Sequence, residues 1–179
     1  MKFVAASVLG LSLVLANPAA SAAAVPAPHA AAPTPAHVKA VQDLLATMQV
    51  EKVLRSVAAR SRYASEAQRQ AVFARIGQTP PAEVARRLAP ALAPSISADT
   101  AAEMTRFYQT PYGKRVLHEK YNSSAQIQMP GMKPVVPPEE KKERKRAAYV
   151  KASKELADAA PLIEREAFKL LQKILAEKR

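Results

Sequence analysis

The stretch FYQTPYGKRVL, residues 107–117, decides how two helices of this chain are joined. A residue that precedes proline avoids the α region, so a helix that contains Phe107 must end near Thr110. Thr110 can cap the next helix, Pro111 fits its first position, and Gly113 lets that helix start close against its neighbour. The stretch therefore predicts a tight corner between two helices, with Phe107 anchoring it in the core.

Apolar residues recur at three- and four-residue spacing on both sides of this corner, as they do along amphipathic helices. No window shows the alternation and β-branched enrichment that are typical of strands. The chain has only 4 glycines and no cysteine, so no disulfide contributes to its stability. We predict an all-α fold, a compact bundle of about six to eight short helices.

Side chains that can cap helices mark four helix starts. They are Thr34 before Pro35, Ser65 in a capping box with Gln68, Thr79 before Pro80 and Pro81, and Ser97. Near the C-terminus, Pro161 predicts a break between two helices, because proline lacks the amide hydrogen that a helix interior needs. After that break, the final helix has an apolar stripe from Ile163 to Ile174.

Residues 1–22 have the three zones of a secretory signal peptide in the usual order. Lys2 gives the positive start, an apolar run extends to Ala16, and Ala20-Ser21-Ala22 fits the cleavage rule. The apolar run is too short to cross a hydrocarbon core of about 30 Å as a helix. We predict cleavage near Ala22 and a periplasmic or secreted mature protein without a transmembrane segment.

Composition divides the remainder of the chain into four segments. Residues 23–36 are rich in alanine and proline and are predicted to form a disordered leader. Residues 37–128 form one helical domain, residues 129–138 a proline-rich linker, and residues 139–179 a C-terminal helical pair that packs on the same domain. A degenerate repeat and shared amphipathic periodicity both explain the C-terminal pair, and the sequence leaves both interpretations open.

Residues 83–125 resemble the bacterial family catalogued as domain of unknown function 2059. The resemblance rests on Ile96-Ser97, on Met104, and on a pattern F-Y-x-[ST]-P-x-G followed by a basic residue and an apolar pair. It implies an all-helical and usually exported protein, and it brings no catalytic residues. The chain departs from the family pattern after Pro130.

Basic residues outnumber acidic ones by 27 to 15, and the densest charge cluster is EEKKERKR at residues 139–146. A solvated helix start is one interpretation of this cluster. The other is an anion-binding patch made of Lys141, Lys142, Arg144, Lys145 and Arg146. Basic residues are otherwise spread evenly, which together with export argues against nucleic acid as a partner. The anions of an envelope are lipid headgroups, lipopolysaccharide phosphates and acidic polymers.

Patterns for catalysis and metal binding are weak. Of the 3 histidines, only His118 is placed for chemistry. His118-Glu119 begins the zinc-protease pattern, but Asn122 stands where the second histidine is needed. Met129 and Met132 offer too few thioether ligands for copper. We therefore predict no metal and no cofactor.

The aromatic residues of the corner leave a choice between packing and ligand binding. At helical spacing they are typical of a core, and Tyr108 and Tyr112 are the ones whose polar tips suit a pocket. Three functions remain open: a non-catalytic binding protein of the cell envelope, which we favour; a binder of anionic lipid or lipopolysaccharide; and a hydrolase that gathers His118 with distant carboxylates. The sequence does not identify the partner.

Overall fold

The computed structural model describes residues 32–122 and 137–177, and within these ranges it contains helices and no strand. This confirms the predicted all-α class. The α-helices are α1 (Pro35–Thr47), α2 (Val50–Arg60), α3 (Glu66–Gly77), α4 (Pro81–Leu92), α5 (Ala98–Gln109), α6 (Pro111–Asn122), α7 (Pro138–Arg144) and α8 (Ala147–Ala176). A short 3-10 helix, Ala93–Ser95, follows α4.

Three of the predicted helix starts are confirmed by their capping hydrogen bonds. The hydroxyl of Thr34 accepts from the amide of the third helical residue at 3.2 Å, Ser65 does so at 3.1 Å, and Ser97 at 3.2 Å. The fourth helix also begins where it is predicted, but the hydroxyl of Thr79 does not cap it and instead donates backward to the carbonyl of Arg75 at 3.4 Å. Pro81 takes the first position of α4 without a side-chain cap.

Helix α8 lies at the centre of the bundle, where it packs against α2, α3, α4, α5 and α7. Helix α1 packs against α4 and α5. The largest fully buried side chains include Phe107, Leu44, Leu45, Leu54, Leu92, Ile96 and Leu171. Burial of apolar side chains against α8 therefore brings helices together that are far apart in the sequence.

The predicted helix break at Pro161 is wrong, because α8 is one helix of 30 residues. Proline leaves the carbonyl of Ala157 without its helical hydrogen bond, but both residues are exposed, so water can bind that carbonyl. Leu156 and Ile163, on either side of the proline, are both buried. The continuous stripe keeps the two halves in line, and the C-terminal helices are the short α7 and the long α8.

Contacts between helices that are far apart in sequence fix the ends of the bundle. Glu155 of α8 accepts from the amide of Ser97 at 2.6 Å and from its hydroxyl at 3.2 Å. Burial raises the pKa of Glu155, but these hydrogen bonds outweigh it and hold the pKa below its ordinary value. At the other end, Arg75 of α3 donates to the carbonyl of Leu175 at 3.0 Å.

Several sequence predictions fall on residues outside the described ranges. These are the signal peptide, most of the leader and most of the linker at residues 129–138. Helix α1 begins at Pro35, so the last two residues of the predicted leader are helical. In the described parts of the chain, no helix combines the length and hydropathy needed to cross a membrane.

Candidate functional site

The corner between α5 and α6 is held by hydrogen bonds around Thr110. Its amide donates to the carbonyl of Phe107 at 3.0 Å, and its hydroxyl donates to the same carbonyl at 2.7 Å. The hydroxyl also accepts from the amide of Gly113 at 3.0 Å, which caps α6. Pro111 follows as the first residue of α6. One threonine thus ends one helix and begins the next.

Gly113 allows the two helices to meet closely. A Cβ atom at this position would lie 2.0 Å from the carbonyl oxygen of Phe107 and 2.7 Å from the Cα of Tyr108. Both atoms belong to the backbone, so no side-chain rotation would relieve the overlap. The residue is buried, and the geometry requires glycine for steric reasons.

Aromatic rings surround Phe107, whose side chain is almost fully buried. The ring centroid of Tyr149 lies 4.7 Å away, that of Tyr108 5.2 Å and that of Tyr112 5.9 Å. These separations and tilted orientations are typical of favourable aromatic pairs. The cluster joins the corner to the first turn of α8.

Next to this cluster lies a cavity of about 470 Å³ between α2, α5, α6 and α8, closed on one side by the α1–α2 turn. Its lining is mostly apolar and includes the aromatic and methionine side chains Met48, Met104, Phe107, Tyr108, Tyr121 and Tyr149. Pockets that hold small ligands are about 300–1,000 Å³ and have a similar apolar lining. The cavity therefore has the size and chemistry of a binding site.

Tyr121 lines the cavity, and its ring lies beside two cations, of which Lys120 also lines the cavity. Its hydroxyl donates to the carbonyl of Met48 at 2.9 Å, which ties α6 to the turn between α1 and α2. The ammonium nitrogens of Lys52 and Lys120 lie 5.1 and 5.5 Å from the centre of its ring. Burial raises the pKa of Tyr121 to about 12, so the hydroxyl stays protonated.

The opposite side of the mouth is polar but neutral in charge. Arg60 of α2 pairs with Glu164 of α8 at 3.1 Å, and both side chains are exposed. Arg60 also donates to the hydroxyl of Ser56 at 3.2 Å. Ala157 and Ala160, two exposed small residues of α8, line the cavity beside this pair and leave its mouth open.

The two tyrosines singled out in the sequence have different positions. Tyr108 lines the cavity, and its burial raises its pKa to about 12. Tyr112 is not part of the cavity; its hydroxyl donates to Glu140 of α7 at 2.8 Å. The pKa of Tyr112 is raised to about 12, mainly by burial and secondly by this hydrogen bond. Tyr112 thus connects α6 to α7.

The five cations of the predicted anion patch do not share one environment. Lys141, Lys142 and Lys145 are exposed and form no ion pair with the described residues. Arg144 pairs with Glu140 on the same helix. Arg146 is half-buried between two glutamates. The patch is therefore divided into three solvated lysines and two arginines that already have carboxylate partners.

Arg146 belongs to a network of four charged residues that joins α5 to the α7–α8 junction. Arg106 lies 2.7 Å from Glu103 and 2.7 Å from Glu143, and Arg146 lies 3.0 and 3.1 Å from the same two carboxylates. Hydrogen bonds from Arg106 hold the pKa of both glutamates below the ordinary value. The two arginines and the two glutamates balance in charge. Their ion pairs join α5 to the α7–α8 junction.

The residues considered for catalysis do not converge. His118 is exposed on α6, and its carbonyl accepts from the side chain of Asn122 at 2.9 Å. His37 instead contacts the carbonyl of Ile96 through Nε2 at 2.7 Å, between α1 and the start of α5. Within residues 32–122 and 137–177, no three histidine or carboxylate side chains form a group able to hold a metal. Met129 and Met132 lie outside these ranges.

Sequence reasoning missed the cavity because its walls come from distant segments. Met48, Tyr121 and Tyr149 each read as part of a separate apolar stripe, and nothing local indicates that they meet. The available signal was the concentration of aromatic residues between residues 107 and 121, which contains four of the nine Phe and Tyr residues of the chain.

Comparisons with protein-family models, with curated proteins and with solved structures give no match for this chain. The resemblance of residues 83–125 to domain of unknown function 2059 therefore stays a prediction. What the chain can do has to be inferred from the cavity itself.

Proposed function

We propose that this is an exported protein of the cell envelope that binds a ligand without catalysis, and that the cavity between α2, α5, α6 and α8 is its binding site. The observation that carries the proposal is the cavity of about 470 Å³, whose apolar lining opens at a polar mouth. Such a combination buries an apolar group and orients it by a few polar contacts. Export is supported by the signal-peptide pattern of residues 1–22.

The polar groups of the cavity suit binding better than reaction. The hydroxyls of Tyr108 and Tyr121 have pKa values raised to about 12, which makes them poor bases near neutral pH. The one carboxylate at the mouth, Glu164, is paired with Arg60. A hydrolase would need a nucleophile and a base in contact, and His118 is not among the residues that line the cavity.

A basic patch that binds anionic lipid or lipopolysaccharide is the alternative function. Three exposed lysines, Lys141, Lys142 and Lys145, favour it. Arg144 and Arg146 weigh against it, because their charges are balanced by carboxylates. Exposed lysines without a shaped site give weak and salt-sensitive attraction, so we favour the cavity.

The test is affinity capture from envelope extracts with the mature protein as bait, followed by mass spectrometry of lipids and proteins. Ala157→Phe places a large ring at the mouth of the cavity, at an exposed position of α8. Ala148→Phe is the matched control, because Ala148 is exposed on α8 and does not line the cavity. We expect the wild type and the control to retain a component that Ala157→Phe loses.

Two results would contradict this proposal. Retention of the same material by all three proteins would place binding outside the cavity. Recovery of a chemically altered ligand, in amounts that rise with time, would show that the protein is an enzyme.

A further inference from the structure

We propose that the cavity holds the hydrocarbon chain of one fatty acid and that the carboxylate binds the ammonium groups of Lys52 and Lys120, which lie beside Tyr121. This inference rests on the proposed function, since it names the ligand class of the same cavity. It joins two observations that are independent of each other: the apolar interior and the unbalanced cations beside Tyr121.

The interior suits a flexible alkyl chain. Its inner side chains include Met104, Leu156 and Ile163, all buried, together with the ring of Phe107. Methionine and aliphatic side chains adapt to an unbranched chain and offer it no hydrogen bond. The hydroxyls of Tyr121 and Ser153 already donate to the carbonyls of Met48 and Val150, so neither is free to donate to a polar ligand.

The size of the cavity favours one chain over two. About 470 Å³ lies in the lower half of the range of about 300–1,000 Å³ for small-ligand pockets. A phospholipid with two acyl chains needs more space than a single-chain amphiphile. The cavity also opens at one end to solvent, where Ala157 and Ala160 leave room for a headgroup.

The charges beside Tyr121 favour a monoanion. Lys52 and Lys120 form no ion pair with the described residues, whereas Arg60 is balanced by Glu164. Glu51 acts on Tyr121 electrostatically, so one negative charge is already close to this ring. A carboxylate adds one further negative charge there, whereas a dianionic phosphate monoester adds two.

Titration calorimetry on the mature protein, below the micellar concentration of each probe, tests the ligand class. The probes are decanoate, dodecanoate, dodecanol, dodecyltrimethylammonium and dodecyl phosphate. We expect dodecanoate to bind about 15-fold more tightly than decanoate, because each buried methylene contributes about a fourfold factor. Dodecanol should bind more weakly than dodecanoate, and the cationic probe should bind most weakly.

Variants then test the two parts of the site separately. Lys52→Gln combined with Lys120→Gln should weaken the binding of dodecanoate by about tenfold and leave the binding of dodecanol unchanged, as expected for two ion pairs in contact with solvent. Lys114→Gln combined with Lys151→Gln removes the same charge from exposed positions outside the cavity lining and should change neither. Ala157→Phe should weaken both probes, and Ala148→Phe neither.

Several outcomes would overturn the inference. Equal affinity for decanoate and dodecanoate would mean that the chain is not buried. Tighter binding of dodecanol or dodecyl phosphate than of dodecanoate would refute the carboxylate. If no alkyl probe binds but Ala157→Phe still abolishes capture from envelope extracts, the fatty acid is wrong and the binding function of the cavity stands. If Ala157→Phe captured the same envelope components as the wild type, the proposed function itself would be refuted.

Discussion

Replacing Gly113 by alanine tests whether the α5–α6 corner depends on close backbone contact. The new Cβ would lie 2.0 Å from the carbonyl oxygen of Phe107, whereas carbon and oxygen atoms in contact are about 3.3 Å apart. The helices must therefore separate by roughly 1 Å at the corner. That separation also disturbs the bonds of 3.0 and 2.7 Å that Thr110 donates to the same carbonyl.

The size of the effect follows from these contacts. Overpacking costs about 1–3 kcal/mol, and weakening the cap between Gly113 and Thr110 costs about 0.5–2 kcal/mol. Alanine is favoured over glycine within a helix by about 0.5–1 kcal/mol, which offsets part of this cost. We expect Gly113→Ala to lower the free energy of unfolding by about 1–4 kcal/mol.

Urea unfolding followed by far-UV circular dichroism measures this change, with Gly77→Ala as the matched control. Gly77 is exposed at the end of α3, and a Cβ there would meet only the side chain of Arg55, at 3.6 Å. Its substitution should leave stability unchanged or raise it by about 0.4–1 kcal/mol. If the two alanine variants were equally stable, the steric argument for Gly113 would be wrong.

Three further predictions concern packing, pH and export. Phe107→Ala should cost about 3–5 kcal/mol as a buried aromatic truncation, and Thr110→Ala about 0.5–2 kcal/mol as a lost helix cap; wild-type stability of both in urea melts would contradict this. The lowered pKa values of Glu103 and Glu143 stabilise the fold fully above the ordinary glutamate value of 4.5, and this stabilisation is lost as pH falls through the folded pKa values. The urea midpoint of the wild type should therefore drop between pH 6 and about pH 3. It should drop less in the double variant Glu103→Gln, Glu143→Gln. An equal drop in both proteins would refute the role of the network. The mature protein should begin at or near Ala23, as intact-mass measurement of periplasmic material would show, and recovery of the full-length chain in the membrane fraction would refute cleavage.

Predictions that depended on neighbouring residues agree best with the structure. The caps at Thr34, Ser65 and Ser97 join each side chain to an amide three residues away, so the local sequence contains both partners. The all-α class follows equally from the short-range spacing of apolar residues. Thr79 differs from these three caps, because its hydroxyl bonds to the carbonyl of Arg75 in the preceding helix.

Features that depend on packing between distant helices do not follow from the local sequence. Pro161 is a helix breaker by local rules, yet α8 continues through it because Leu156 and Ile163 are buried on one face against other helices. The predicted anion patch groups five cations that are close in sequence, whereas the carboxylate partners of Arg146 include Glu103 of α5, which lies 43 positions away. Local sequence does not report such partners.

The sequence by itself determined the helical class, the position of the α5–α6 corner and the signal-peptide pattern, because each depends on residues within a few positions of one another. Only the tertiary structure decided where Met48, Phe107, Tyr121 and Tyr149 meet and which lysines lack a carboxylate partner. The physical reason is that hydrophobic burial is non-directional: it drives apolar stripes together but does not specify which helices leave a space between them. That space, and the placing of two lysines beside Tyr121 in its wall, arise only when α2, α5, α6 and α8 pack.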